Sequence, residues 1–435
     1  MVDIARSCLV WQGWQPVTTS QRASTGDWLG GGCRGRRAAR WAAPSAAVLI
    51  LAFACLAVPA ARAAAAPAKT APKWTIVKSP NPAATYEGEA ELLSVSCSSS
   101  GACTAVGFYK RTGVGYLALT ERWNGTKWKL QSIPNPTGGV WIRLYGVSCT
   151  SLTFCMAVGS FENSVGAILD LAEKWDGSSW GVVPTPDPGG TAESDHSELD
   201  GVSCTSPSAC TAVGWFSNED GLNLTLAERW SGTRWRSESP VNPQGSGPTS
   251  YWDELHAVSC TASKACVAVG QSGPGNSESY GTLAERWNGS GWSVLSTPVN
   301  VGEVADVSWA VMLAVSCTST KACAAVGEHI DKAGNQVTLA ETLNGTKWSA
   351  DTTPSTPTLQ ELASVSCTSA TACTAVGSPY FGGTLAEAWN GHTWALQATP
   401  STGYSNSMLA GVACPSATNC VAVGSYVKGT LAESR

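Results

Sequence analysis

LASVSCTSATACTAVG, residues 362–377, and TLAEAWNGHTW, residues 384–394, together decide the fold. The pair recurs seven times along the 435 residues. Its idealised form is L-x-x-V-S-C-T-S-x-x-x-C-x-A-V-G, a variable stretch, then T-L-A-E-x-W-N-G-x-x-W and a short run ending in Pro. Each copy carries its own cysteine pair: Cys97/Cys103, Cys149/Cys155, Cys204/Cys210, Cys260/Cys266, Cys317/Cys323, Cys367/Cys373 and Cys414/Cys420. Successive first cysteines lie 52, 55, 56, 57, 50 and 47 residues apart, a period that belongs to propellers and solenoids.

Each copy reads as four short strands. In the first copy, one ends at V-S-C (93–97), the second covers 103–107, the third 117–123, and the fourth begins at Trp128. Asn124-Gly125 and its echoes suit the positive φ values of a tight hairpin, so the flanking tryptophans should face each other. The expectation is an all-β, seven-bladed β-propeller of four-stranded antiparallel blades. The last copy stops after its third strand, at 431–433. Residues 74–82 (WTIVKSPNP) match 128–136 (WKLQSIPNP) in their Trp, their Ser and their Pro-Asn-Pro. Residues 74–80 are therefore expected to complete blade seven and close the ring.

Strand two ending in V-G, an aromatic followed by Asn or Asp (Trp123-Asn124, Trp175-Asp176) and a further Trp resemble the kelch repeat of galactose-oxidase-like propellers. The fuller VSC…C-x-AVG…LAExWNGxxW pattern also resembles a group of secreted actinobacterial propeller proteins. The resemblance covers residues 74–435 and departs from kelch in lacking its Gly-Gly doublet and in having cysteine pairs. It implies the fold and brings no particular ligand with it.

Residues 1–63 read as a signal peptide with a long n-region. Arg34, Arg36, Arg37 and Arg40 precede an apolar run at 46–60 and a small-residue site at 61–63, so cleavage is expected after Ala63, followed by a linker over 64–73. The expected location is secreted, with contact to the membrane only through this segment, or cell-surface where the segment is retained. Its loss removes seven arginines and two aspartates from a chain of 27 basic and 32 acidic residues, leaving 20 against 30. Such an acidic domain repels phosphate, which excludes nucleic acid as a partner. Export places the regular cysteine pairs in an oxidising compartment, where they read as seven local disulfides that stiffen the turn between strands one and two. No histidine or further cysteine accompanies them to make a metal site.

The turns between strands one and two and between three and four barely change from copy to copy. The 2–3 and 4–1 connections diverge, and up-and-down connectivity puts both on one face, where function is expected. That face gathers Trp141, Tyr145, Trp215, Tyr251, Trp252, Trp309, Tyr380 and Tyr404. It also holds the acidic groups Asp195, Glu198 and Asp200 near His196, and Asp253 and Glu254 near His256. Aromatic planes beside carboxylates suit sugar rings, with their apolar faces and hydroxyl edges. The candidate ligand-binding set is Trp141, Tyr145, Asp195, His196, Trp215, Trp252, Asp253, His256 and Trp309. No catalytic residue, metal or cofactor is assigned.

Glu121, Glu173, Glu228, Glu285, Glu341, Glu387 and Glu433 occupy one equivalent position, so they read as structural acceptors for donors of a neighbouring turn. The fourth-strand tryptophans read as core. Gly30-x-Gly32-x-x-Gly35, Gly177-Ser178-Ser179-Trp180-Gly181 and the sequon Asn124-Gly125-Thr126 lie in contexts that rob each motif of its mechanism. The reading is a monomeric secreted protein that binds a glycan or an extracellular protein. The alternatives are a carbohydrate-active hydrolase or lyase using carboxylates of the variable face, and a structural envelope protein.

Overall fold

The computed structural model describes residues 73–82, 85–243, 251–274, 280–298, 309–331, 333–354, 360–379 and 382–435. These lie in one compact unit, Lys69–Arg435. The signal-peptide assignment falls outside them. Among the described residues there is no helix, and so none long and apolar enough to cross a membrane.

Every repeat folds into consecutive antiparallel strands. In repeat 1 these are Thr85–Ser99, Ala102–Arg111, Gly115–Trp123 and Trp128–Leu130. Among the described residues the strands form five four-stranded sheets and one of eight. The larger sheet arises where repeats 3 and 4 touch through one parallel pair, Asn223 with Trp252. Repeat 7 supplies Met408–Ser416, Asn419–Tyr426 and Gly429–Ser434. Its fourth place is taken by Thr75–Val77, in the register Thr75↔Ser434, Ile76↔Glu433 and Val77↔Ala432.

The sheets stack face to face, each on its sequence neighbour, as the blades of a β-propeller do. Repeats 1 and 2 share a core of Val106, Leu117, Ile142, Leu144 and Leu171, and comparable clusters lie between each later pair. Val421, Val423 and Ala432 of repeat 7 pack with Leu92, Val95 and Trp128 of repeat 1. The hairpin tryptophans pair across the Asn-Gly turns as the sequence predicts, with ring centroids 5.6–5.9 Å apart.

All seven cysteine pairs are disulfides within one repeat. Each closes a small loop and contributes about 2 kcal/mol by chain entropy. Their surroundings correct the expectation of a staple that serves the turn alone. The second members, Cys103, Cys155, Cys210, Cys266, Cys323, Cys373 and Cys420, are buried, each in a core cluster between two sheets. The first members, Cys97, Cys149, Cys204, Cys260, Cys317, Cys367 and Cys414, are half-buried and pack against the same clusters. Strand order is the physical reason. The second strand of each repeat lies between the first and the third, so a side chain on it that faces the sheet of the preceding repeat, repeat 7 in the case of Cys103, is shut off from solvent. These sulfurs add apolar packing to the covalent link.

Two motif residues acquire roles that their repeat position alone does not reveal. The Ser of V-S-C accepts a hydrogen bond from the backbone N–H of the first cysteine in the next repeat. Ser96, Ser148, Ser203, Ser259, Ser316 and Ser366 do so at 2.9–3.0 Å, a chain of links that ends at Ala413. The Gly of A-V-G faces an extra residue in the inner strand. In repeats 2, 3 and 4 that residue is Tyr145, Asp200 and His256, flanked by the register shifts Leu144/Gly146, Leu199/Gly201 and Leu255/Ala257. A Cβ on Gly159, Gly214 or Gly270 would run into the carbonyl oxygen of Arg143, Glu198 or Glu254, so glycine is what admits the bulge.

Strand lengths differ from expectation. Inner strands start earlier and second strands end later; Tyr251–Ala262 pairs with Ala265–Pro274 along its whole length. Tyr145, Trp215, Trp252, Asp253 and His256, expected in variable loops, therefore sit on strands. The two strands continue together because each keeps its ladder partners past the motif, beyond the reach of the repeat pattern.

Candidate functional site

The bulge sets the site. At the end of the inner strands away from the disulfides, the first strands of repeats 2, 3 and 4 (Val140–Ser151, Ser197–Ser206, Tyr251–Ala262) present three polar pairs. They are Arg143 and Tyr145, Glu198 and Asp200, and Glu254 and His256. Asp200 belongs to repeat 3 and His256 to repeat 4, yet Oδ2 and Nδ1 approach to 3.6 Å, while His256 Nε2 lies 3.8 Å from Glu254 Oε2. Glu254 accepts from the side-chain amides of Asn223 at 2.9 Å and Gln271 at 2.8 Å. Glu198 accepts from the Trp215 indole at 3.0 Å, and the Trp215 ring stacks on His196 at 4.3 Å. The Ser160 hydroxyl meets the Tyr145 hydroxyl at 3.4 Å. Burial, with the negative charge of Glu198 next in weight, pushes the Tyr145 phenol well above its ordinary range, so it stays a neutral donor and acceptor.

Trp141 is the exposed aromatic beside this cluster. It is 44% exposed and has φ 52°, a left-handed conformation that a bulky side chain rarely adopts. Tyr116 packs on it at 4.9 Å, and the Arg143 guanidinium lies 4.7 Å from Tyr116, 5.1 Å from Phe108 and 5.9 Å from Trp141. One cation thus binds three rings together.

The remaining candidates divide. Asp195 is taken up by its own turn, its carboxylate accepting from the Ala192 N–H at 2.7 Å. Asp253 is fully buried beside Leu255 on the opposite side of its strand from Glu254, and its charge helps to raise Glu285. Trp252 stacks with Tyr280 at 5.9 Å in repeat 4, and the Tyr280 backbone bridges to that of Trp309 in repeat 5. Tyr404 packs on Tyr426. Tyr380 and the side chain of Tyr251 lie outside the described residues.

A second acidic pair was not singled out in the sequence. Glu328 lies on the second strand of repeat 5 and Glu361 on the first strand of repeat 6, and burial raises both carboxyls, with Glu361 adding to the shift of Glu328. Gln336 donates to Glu328 and Ser378 to Glu361. The signal lay in two columns that vary inside the constant motif. One is the residue after A-V-G: Phe108, Ser160, Trp215, Gln271, Glu328, Ser378 and Ser425. The other is its inner-strand partner: Glu91, Arg143, Glu198, Glu254, Val311, Glu361 and Met408.

Among the described residues no group of three or more His, Cys, Asp or Glu side chains converges to hold a metal ion. The arrangement offers carboxylates, amides, an imidazole, a phenol and indoles in one strip, a set able to bind hydroxyl-rich or amide-bearing ligands.

The seven equivalent glutamates are fully buried, and four of them bridge to the preceding repeat, repeat 7 in the case of Glu121. Glu121 accepts twice from the Ser79 hydroxyl, Glu285 from the Val241 N–H, Glu341 from Thr282 and Glu433 from Thr384. Hydroxyls outnumber the expected backbone donors here. Burial raises every one of these carboxyls, Glu173 and Glu387 to about 8.

No protein-family model and no curated protein sequence matches this chain. Solved structures do. YCF48 from Cyanidioschyzon merolae is similar at 13% identity and TM-score 0.48, covering 83% of this chain and 98% of its own. The WD40 β-propeller domain of Doa1 gives 10% and 0.41, with 84% and 97% covered. The six-bladed fungal lectin from Aleuria aurantia gives 9% and 0.37, with 64% and 90% covered. At such distances the site has to be read from this chain's own residues.

Proposed function

We propose that the protein is a secreted, seven-bladed β-propeller, residues 74–435, whose ring is closed by residues 74–80 and which binds a glycan or an extracellular protein without catalysis. Residues 1–63 act as the signal peptide and 64–73 as a linker, and the domain works as a monomer. The observation that carries the reading is the polar strip across three adjacent inner strands, flanked by an exposed tryptophan in left-handed conformation over Tyr116 and Arg143. A solvated loop has no need of that strain, whereas a stacking surface for a sugar or a side chain does. The pairing of 75–77 with 432–434 and the packing of repeat 7 on repeat 1 support closure. The regular disulfides support export.

A second reading, a carbohydrate-active enzyme, draws on the density of carboxylates at the same mouth. Glycan-array binding of secreted protein, run beside a glycosidase and lyase screen, separates the two. Binding lost in Trp141→Ala with no turnover on any substrate supports the binder. Turnover abolished by Glu198→Gln or Glu254→Gln refutes it. N-terminal sequencing of the secreted chain should begin at residue 64.

A further inference from the structure

At the disulfide end, away from the mouth, the sheets are clamped by a repeated cation–tryptophan contact. Arg122 of repeat 1 lies 4.8 Å over Trp175 of repeat 2 and donates to the Leu152 carbonyl at 3.1 Å. Arg229 of repeat 3 lies 4.7 Å over Trp287 of repeat 4 and donates to the Ser263 carbonyl at 2.7 Å. Lys174 lies 5.9 Å over Trp230 between them. The cation is the residue after the repeated glutamate, and the acceptor is the carbonyl three residues beyond the first cysteine.

In repeat 5 the residue after the glutamate is Thr342, while repeat 6 keeps both receiving elements: half-buried Trp389, and the Ala370 carbonyl, which accepts from the Trp389 indole at 3.2 Å. The space left over is a cavity of about 240 Å³ lined by Thr342, Leu343, Ala370 and Trp389, with exposed Thr318 and Asn344 at its rim. The equivalent place between repeats 4 and 5, where Arg286 is present, holds about 20 Å³. Two exchanges produce the difference, Thr342 for Arg286 and Leu343 for Trp287. A carboxyl group lies close by: the Thr342 hydroxyl donates to Asp351 Oδ1 at 3.2 Å, and Asp351 also meets the Trp394 side chain.

We infer that this cavity receives the guanidinium of an arginine side chain presented by a partner polypeptide. The molecule supplies its own template, since at two other junctions an arginine fills the same place against the same two elements. The volume is below that of pockets for drug-sized ligands and suits one side chain. Trp389 offers its face to a cation, and the Ala370 carbonyl keeps a second lone pair for a guanidinium N–H. The excess of acidic residues in 64–435 favours a cationic partner.

The test is a titration of the intact protein with N-acetyl-arginine amide, followed through the Trp389 indole resonance, with the citrulline amide as uncharged isostere. Saturable shifts with arginine, at least about tenfold weaker binding of citrulline, and loss of binding in Thr342→Arg are expected. No shift at tens of millimolar, equal binding of citrulline, or full binding by Thr342→Arg would each overturn the assignment. Should Thr342→Arg not fold, Trp389→Leu, which copies the adjacent Leu343, decides instead. Calorimetric affinity for arginine should drop about tenfold, and an unchanged value refutes the site.

Discussion

Seven buried carboxyls raised by burial should make this protein more stable in mild acid than in mild base. Glu387 gives the cleanest measure. It is fully buried, neither oxygen has a hydrogen-bond partner, and burial alone lifts it from 4.5 to about 8. Because the folded value exceeds the unfolded one, its contribution is complete below about pH 4.5 and is lost as pH rises through about 8. Between pH 5 and 7 the loss is about 1.4 kcal/mol per unit, or about 2.7 kcal/mol in all. With an unfolding entropy of about 2.1 cal/mol/K per residue over the folded unit, one such group moves the melting temperature by about 3–4 °C. Glu387→Gln and Glu173→Gln each remove one titrating group, and any hydrogen-bond need of the new amide adds an offset that does not vary with pH. Melting curves of the wild type should fall steadily from pH 5 to 8, and each variant should fall less steeply by the share of one group. A wild-type melting temperature that is flat or rising over this range, or variant slopes identical to it, would show that these carboxyls are satisfied as anions and refute the reasoning.

Deleting residues 74–80 removes the partner of Gly429–Ser434 and exposes its edge, so melting should fall by many degrees and aggregation should rise; an unchanged curve would place closure elsewhere. Ser203→Ala strands the Cys260 N–H and should cost about 1–2 kcal/mol in urea unfolding, while Ala413→Ser, which supplies the acceptor absent from repeat 7, should gain about 1 kcal/mol; equal midpoints for both variants and the parent would mean the serine links carry no net stability. Trp141→Ala should weaken ligand binding by about 2 kcal/mol, roughly thirtyfold, and Lys127→Ala at the opposite end should leave it intact; the reverse outcome places the ligand at the disulfide end.

The hairpins, the tryptophan pairs and the disulfides were legible because each is settled within a dozen residues. What joins one sheet to the next was not. The acceptor serving Cys149 is Ser96, and their spacing conveys no chemistry until the sheets are stacked. The burial of Cys103 and its equivalents escaped for the same reason, since the side chains that cover them come from a different repeat. The site was half legible: Tyr145, Trp215 and His256 were expected at the variable end, but the contact of Asp200 with His256 depends on two strands from different repeats. The separation of Glu254 from Asp253 turns on strand register at the bulge, where a shift of one residue sends a side chain to the other face. Arg143 was passed over because its partners Tyr116 and Phe108 belong to the preceding repeat.

The serine links have a direction. Each runs from a serine already made to a cysteine still to come, so during synthesis every emerging repeat meets its acceptor on the one before it. Assembly can therefore proceed by accretion, sheet upon sheet in the order of translation, with no sheet waiting for a later one. Repeat 7 has Ala413 in place of the serine, so the series ends there. The final joint falls instead to the first strand made, 75–77, which stays without its partner until the last strand has emerged, and so reports completion of the whole domain.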